Sequence, residues 1–487
     1  MQKVKSQSRL IKEITDFYEV FLETEQELFR RKTAGIRYWH YIRFDFFNEL
    51  LNGKKWIEKI DHHEHRTLLM KVGIATNLLK NSLLHGVRKD KSKDDVLVLS
   101  SAKKKQKGSS YIDPYTYYWL RKMRHPYTAW EDHLLWSHRK HGQQPGLFFL
   151  DDLYVRAIFY RFLMFRKICL ASEDEIDFLR QFAMKFDLEI PKKKLISLLT
   201  NVVALHKANF GYIKNKLSEK DIRLVVLINH YEPLKMLIVS IARSLGIYTV
   251  ELQHGNMGRY HIAYNFGNTN TLTTLPDEIL TFGEFWNETT TISQNNVKMT
   301  STGMPFFEEN LSQVELSPCM SDNKKVKILI LSQEVIGPQL ALMAIELFQR
   351  LDPDGYEIWY KLHPREYGGS WKVNYPSEFE NLNIRVLADC DLYALFAQSD
   401  IHIGVYSTTI MEGLAFNKKL ILVELYGVHY FSDLINSGRA FFARNSDEIQ
   451  MAIENDSTQF LTGRGLSYYW EQKSVEKINQ RISEILK

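Results

Sequence analysis

No stretch of this chain stays apolar for the ~18 residues that a membrane-spanning helix needs, so none is expected. Cysteine is scarce: Cys169, Cys319 and Cys390 stand far apart, with neither a metal-ligand spacing nor a paired framework, which points to a reducing compartment. The first residues, from Met1 to Ser8, hold no apolar signal-peptide core. Net charge is only +5 over 487 residues, too little for bulk nucleic-acid binding, though local basic patches remain open. Glycine-rich phosphate loops are missing as well. Neither a Walker A motif nor Gly-x-Gly-x-x-Gly follows the first strand of either α/β segment, so a P-loop NTPase or an ordinary dehydrogenase is not expected. No internal repeat of ~20–50 residues is visible.

What is present is the composition of a folded protein, 45% hydrophobic and 25% charged, in a chain too long for one ordinary core. Two or three domains follow from that. Residues 326–424 carry the clearest pattern. Apolar runs at 326–332, 356–364, 384–387, 401–406 and 419–424 alternate with helical spacing at 338–351 and 392–398 and with a helix that carries Glu412. Strands and helices alternating through short connections predict a parallel sheet covered on both faces. The same pattern stands upstream. Residues 96–101 read as the first strand of another α/β domain, and 224–231, 246–255, 277–283 and 297–305 as later ones, with a helix over 233–245. Helical periodicity over 150–220, broken near Pro191, predicts helices within or inserted into that domain. Asp94-Asp95 and Asp151-Asp152 look like strand or helix boundaries. Over 307–325 periodicity stops and polar residues accumulate, so this segment reads as a linker; beyond Val423 the tail reads as helix-rich.

Upstream of residue 94 the chain reads as helical, with apolar residues at three- and four-residue steps. Residues 35–44 are rich in aromatics and arginine. Aromatic stripes at helical spacing usually belong to a core, so packing on the protein itself is favoured over docking on a membrane or an acidic polymer. Asp61-His62-His63-Glu64-His65 looks like a metal cluster, but adjacent residues face different sides of a helix, so a solvated stretch is expected. Residues 66–93 are basic and amphipathic, with Lys71, Lys80, Arg88, Lys89, Lys91 and Lys93; either an anionic bilayer or water suits such a face. The lysine-rich segment 102–110, which includes Lys104, fits an acidic acceptor or a mobile solvated loop.

The polar residues gather where strands end, which is where open α/β sheets bind ligands. His363-Pro364 closes one strand, with Lys361 and Arg365 beside it to favour an anion such as phosphate. Ser407-Thr408-Thr409 marks a strand-to-helix junction that can hold an anion, although simple N-capping needs only one of the three. Glu412 suits ribose hydroxyls or a helix N-terminus. In the first half, Gln253-His254-Gly255 ends a strand on a glycine turn. Together, Gln253-His254-Gly255, Lys361-Leu362-His363-Pro364 and Tyr406-Ser407-Thr408-Thr409-x-x-Glu412-Gly413-Leu414 resemble bacterial GT-B glycosyltransferases of surface-polysaccharide assembly. The nearest patterns are the capsule transferases of the Kdo and sialic acid type and the teichoic-acid glycerophosphotransferases, over about residues 95–450.

The resemblance implies an α/β GT-B fold, two Rossmann-like domains facing a cleft with an N-terminal helical extension. The division expected is 1–93 helical, 94–310 an acceptor domain with a helical insertion, 311–450 a nucleotide-donor domain, and 451–487 a helical tail. It implies transfer of a sugar from a nucleotide-activated donor to a growing polysaccharide acceptor, oligosaccharide or lipid-linked, with inversion. No cofactor, metal or nucleic-acid partner is expected, and no convincing Asp-x-Asp is present. Donor-side residues expected are His363, Lys361, Arg365, Ser407, Thr408, Thr409 and Glu412; acceptor-side residues are Gln253, Gly255 and Lys104. An inverting transfer needs a base. His254 is the first choice, because it ends an inner strand on a glycine turn facing the cleft; bonding the turn backbone is its alternative. Asp113 is the second, with the role of an Asp-Pro turn former as the alternative. A nucleotide-sugar 2-epimerase and a non-catalytic assembly scaffold are rival readings of the same architecture. The expected location is cytoplasmic, with peripheral contact to the inner face of the membrane through 66–93 and the aromatic N-terminal helices as an option.

Overall fold

The computed structural model describes residues 9–57, 68–101, 103–134, 136–139, 146–267, 272–314, 325–455 and 465–487; the histidine-rich stretch 61–65 lies outside them. Three helices come first: α1 (Arg9–Thr24), α2 (Trp39–Gly53) and α3 (Leu68–His85). The first α/β half contains β1 (Val96–Ser100), β2 (Lys105–Lys107), β3 (Ser110–Ile112), α4 (Tyr117–Leu120), β4 (Tyr127–Glu131) and β5 (Leu147–Phe149). It continues with α5 (Asp151–Ala171), α6 (Glu173–Met184), α7 (Lys192–Ser218), β6 (Leu224–Ile228), α8 (Pro233–Ser244), β7 (Tyr248–Leu252), β8 (Glu278–Thr281), α9 (Glu284–Thr289), β9 (Lys298–Ser301) and α10 (Pro305–Gln313). The second half contains β10 (Val326–Leu331), α11 (Gly337–Arg350), β11 (Tyr356–Lys361), α12 (Ser370–Asn374), β12 (Arg385–Leu387), α13 (Leu392–Gln398), β13 (Ile401–Gly404) and α14 (Thr408–Gly413). Then come β14 (Lys419–Val423), α15 (Ser432–Asn436), β15 (Phe441–Ala443), α16 (Ser446–Glu454), α17 (Leu466–Tyr469) and α18 (Ser474–Ile485).

Seven strands form the first sheet in the order β5-β4-β1-β6-β7-β8-β9, and six form the second in the order β12-β11-β10-β13-β14-β15. Every pairing in both sheets is parallel. In each, the chain winds outward from the first strand to one edge, then returns and winds to the other, the doubly wound Rossmann-like topology. The two sheets, with the helices before them, form the expected GT-B arrangement. Burial explains the strand composition. Leu97, Leu99, Val225 and Leu227 pack into the main core, while Val96, Val98, Leu224, Val226 and Val250 face the other side. That other side is covered by Ile478, Ile482 and Leu486, so the C-terminal helix α18 returns to the first sheet.

Several segments differ from their sequence reading. The segment read as linker begins with a helix: α10 starts on a proline, and Phe307 is buried and stacked on Trp470 with ring centroids 4.1 Å apart. The lysine-rich loop is partly a hairpin, β2 against β3. Lys104 turns inward, and its ammonium lies 2.7 Å from the Glu131 carboxylate, both side chains being almost fully buried. It therefore does not face an acceptor. The aromatic N-terminal helices are not a membrane face either. Phe21, Trp39, Phe46 and Phe47 are buried, packed edge-on against one another and against Phe182 of α6.

Glu131 is also one of two carboxylates that clamp His138. The imidazole Nδ1 lies 2.8 Å from Glu131 and Nε2 lies 2.7 Å from Asp151, with the ring stacked on Phe149. Burial works against the imidazolium, but the hydrogen bonds to Asp151 and Glu131 prevail and push His138 up to about 9. A raised folded-state value stabilises the protein fully below about pH 6.5, and that contribution is lost as pH rises through the folded value. Urea midpoints are therefore expected to fall between about pH 7 and about pH 10, and the fall should be smaller in His138→Gln. Equal slopes in the two proteins would contradict this assignment.

Candidate functional site

The first strands β1 and β10 are where each sheet reverses its winding, and the carboxyl ends of strands around such a point form a crevice. In this chain the two crevices face each other across one cavity of about 660 Å³. The second half contributes Gln333 and Glu334 after β10, His363 and Arg365 after β11, Tyr406, Ser407 and Thr408 after β13, and Tyr430 after β14. The first half contributes Tyr231 after β6, and His254, Gly255, Asn256 and His261 after β7. Phe44 and Asp45 of α2 close one side.

The halves touch inside this site. Asn256 donates through its side-chain amide to the Tyr406 carbonyl and accepts from the Thr408 hydroxyl at 3.4 Å. A Cβ added at Gly255 would stand 3.7 Å from the Thr408 hydroxyl. Gly427 has φ +97°, and a Cβ there would lie 2.1 Å from the Tyr406 ring, so only glycine lets the turn after β14 pass that tyrosine.

His254 follows an inner strand, β7, which pairs with β6 and β8. Gln253 fixes its turn: the amide donates to the Gly255 carbonyl at 2.9 Å and the amide oxygen accepts from the Phe282 N–H at 2.7 Å. Its buried side chain is thus occupied by backbone rather than directed at an acceptor. His254 Nε2 lies 3.2 Å from the Tyr231 hydroxyl, and its carbonyl accepts from Tyr115 at 2.9 Å. Nδ1 is 3.7 Å from Glu251, too long for a good hydrogen bond but near enough for the charge to act. Burial pushes His254 below the ordinary histidine value, opposed by Glu251. Glu251 is a hub. It pairs with His230 Nδ1 at 2.5 Å and accepts from Tyr264 at 2.9 Å. Burial disfavours its charge, yet His230 and His254 hold it well below the usual carboxylate range.

On the second half, the His363 N–H donates to Glu366 at 2.6 Å, and Nδ1 accepts from the Arg365 N–H at 3.3 Å. Burial pushes His363 down to about 4, so the ring is neutral at neutral pH, with its proton on Nε2. Glu366 also accepts from Tyr375 at 2.6 Å, which anchors the His-Pro turn. Arg365 pairs with Glu334 at 2.9 Å on the exposed rim. Ser407 is the N-cap of α14, its hydroxyl accepting from the Thr409 N–H at 3.3 Å, and it also bonds the Thr409 hydroxyl at 2.6 Å.

His254, Gly255, His363, Arg365, Ser407 and Thr408 thus line one cavity. The other expected residues stand elsewhere. Lys361 is buried and donates to Leu362 and Tyr367. Glu412 accepts from Tyr393 at 2.6 Å, and burial raises its carboxyl. Asp113 is buried and accepts from the Ser101 and Tyr115 N–H groups, as a turn former does. Sequence reasoning missed Glu251, His230, Tyr231, His261, Asn256 and Glu366. The signal for Glu251 was present, a lone charge in an otherwise strand-like run; the others carry none.

No family model matches the chain, and no curated protein matches it in sequence. Solved structures are similar to it. MurG of Acinetobacter baumannii is 12% identical, with a TM-score of 0.43 over 80% of this chain and 99% of that one. A UGT transferase from Siraitia grosvenorii in complex with UDP is 10% identical, with a TM-score of 0.43 over 80% of this chain and 100% of that one. UDP-GlcNAc 2-epimerase from Neisseria meningitidis bound to UDP-GlcNAc is 11% identical, with a TM-score of 0.42 over 58% of this chain and 82% of that one. The fold assignment stands on the strand orders and the facing crevices.

Proposed function

We propose that the chain is a glycosyltransferase that moves a sugar from a nucleotide-activated donor to a surface-polysaccharide acceptor, without a metal. One observation carries this reading: a single cavity gathers a partly buried, carboxylate-backed histidine from one half and a cluster of donors from the other. The nucleotide lies against the second half, with His363 Nε2–H, the Ser407 and Thr408 hydroxyls and Arg365 available to its phosphates. The acceptor hydroxyl approaches from the first half. His254, neutral because burial lowers its proton affinity, takes the hydroxyl proton as the bond to the sugar forms, and Glu251 stabilises the imidazolium that results. The departing diphosphate or monophosphate takes the bond electrons and is stabilised by fixed dipoles and Arg365.

A panel of UDP, CMP, CDP and GDP read by thermal shift tests this reading. One nucleotide should raise the melting temperature, since a ligand bound only to the native state stabilises it. His363→Ala and Ser407→Ala should each weaken that binding by about tenfold, the worth of one charge-assisted hydrogen bond. Wild-type affinity in both folded variants would remove the donor assignment. Incubation with UDP-GlcNAc and no acceptor separates the classes: conversion of the sugar alone would mark an epimerase.

A further inference from the structure

The bonds around His254 leave its ring one direction in which a proton can arrive. Nε2 lies 3.2 Å from the Tyr231 hydroxyl, its only hydrogen-bond partner among the described residues. Nδ1 is buried without such a partner and faces the Glu251 carboxylate at 3.7 Å. Glu251 is fully buried and charged. Its oxygens also accept from the backbone N–H and Nδ1 of His230 and from the Tyr264 hydroxyl. A carboxylate at that distance favours a ring proton on Nδ1 and disfavours a lone pair there. The neutral ring therefore presents its lone pair on Nε2, and Tyr231 is the donor in the bond between them. Tyr231 follows β6 and lines the interdomain cavity beside His254. Its ring is held by Phe44, with centroids 4.8 Å apart, and edge-on by Tyr264 at 6.0 Å.

We propose that Tyr231 is the residue that touches the acceptor hydroxyl, and that it relays the proton of that hydroxyl to His254 Nε2. This rests on the transferase reading and deepens it, since His254 remains the place where the proton ends. The acceptor O–H donates to Tyr231 Oη. As the acceptor oxygen bonds to the anomeric carbon of the sugar, its proton passes to Oη and the Oη proton passes to Nε2. The bond from sugar to phosphate breaks, and the phosphate leaves with the electron pair. Tyr231 ends as the phenol it began as, and His254 ends as an imidazolium beside Glu251. The tyrosine is never released as an anion. Burial, and then the charge of Glu251, hold its phenol well above the ordinary value, so the two protons move together. Direct transfer to Nε2 would first break the bond from Tyr231 and leave that hydroxyl without its partner.

Two measurements on the full chain test the relay, and the first needs no substrate. Nitrogen NMR of protein labelled in its histidine rings separates a protonated from an unprotonated ring nitrogen, and the signals lost in His254→Gln identify His254. Near neutral pH the proton is expected on Nδ1. In Tyr231→Phe, which keeps the ring and its packing, the Nε2 signal should move as it loses its donor while Nδ1 stays protonated. A proton on Nε2, or an Nε2 signal unmoved by Tyr231→Phe, would overturn the relay. The second measurement follows nucleotide release from UDP-GlcNAc, CMP-sialic acid, CDP-glucose and GDP-mannose with water as acceptor. Tyr231→Phe should lower turnover by about tenfold or more, with nucleotide affinity unchanged. Added to His254→Ala it should cost less than about twofold more, because members of one relay act as a unit. Wild-type turnover in Tyr231→Phe, or losses that multiply in the double variant, would overturn the proposal. The expected proton placement with no substrate turned over supports the hydrogen-bond chain and removes the transferase reading; turnover with the proton on Nε2 removes the relay alone.

Discussion

Replacing His254 with alanine is expected to lower turnover by about a hundredfold or more, the low end of what a positioned base contributes, with nucleotide affinity nearly unchanged. The expectation follows from placement. The residue ends an inner strand, lies in the interdomain cavity, and is backed by a carboxylate that burial cannot protonate near neutral pH. Its proton affinity is lowered by burial, so the neutral base form dominates at neutral pH, and turnover should fall only on an acid limb below about pH 6.5. Glu251→Gln removes the one group that opposes this shift, so the limb should move to still lower pH while turnover drops. Near-normal turnover in His254→Ala would mean that the histidine serves its turn only. Lost donor affinity with turnover intact would mean that it reaches across to the nucleotide.

Arg43→Ala should cost about 3–5 kcal/mol of stability, the cost of breaking a buried ion pair by removing one partner. Both members of the pair are almost fully buried: Arg43 bonds Glu25 through Nε at 2.6 Å and through Nη2 at 2.5 Å. The same guanidinium donates to the carbonyls of Ile262 and Asn265, and Trp39 donates to Glu25 at 2.8 Å. Alanine would leave a carboxylate and two carbonyls buried without their partner. The pair ties the N-terminal helices to the segment that carries His261, so nucleotide binding should weaken as this part of the protein loosens. Urea unfolding followed by fluorescence reads the loss, and Glu25→Leu with Arg43→Met should recover most of it, because an apolar pair of similar volume removes both buried charges. A loss under about 1 kcal/mol in Arg43→Ala would contradict the role given to the pair.

The sheet was largely legible because buried parallel strands are mostly apolar runs: β6 is wholly apolar, β1 ends on Ser100, and β7, β10, β11, β13 and β14 are interrupted by only one or two polar residues. β4 is not such a run. Its sequence, Tyr-Thr-Ala-Trp-Glu, mixes polar and aromatic residues because Glu131 answers Lys104 and His138 from within the fold. β5 and β15 have three residues each, too few for a period. The outward-facing α5 reads like any helix with apolar spacing, since a sequence does not say which face meets water. The same limit applies at the site. Motifs at strand ends located His254, His363 and Ser407, but Lys361 and Glu412, which neighbour those motifs, turn to Tyr367 and Tyr393 instead. Partners outside the motif itself decide such orientations, and Glu366, which holds the His363 turn, became visible only through its bonds.

The central claim is a division of labour across one cavity, donor on the second half and base on the first. Titration of the wild type, His363→Ala and His254→Ala with the nucleotide that binds tests it most directly. The account predicts that His363→Ala weakens the nucleotide by about tenfold while His254→Ala binds it like the wild type. Binding lost in His254→Ala and kept in His363→Ala, or no nucleotide bound by the wild type at all, would contradict it.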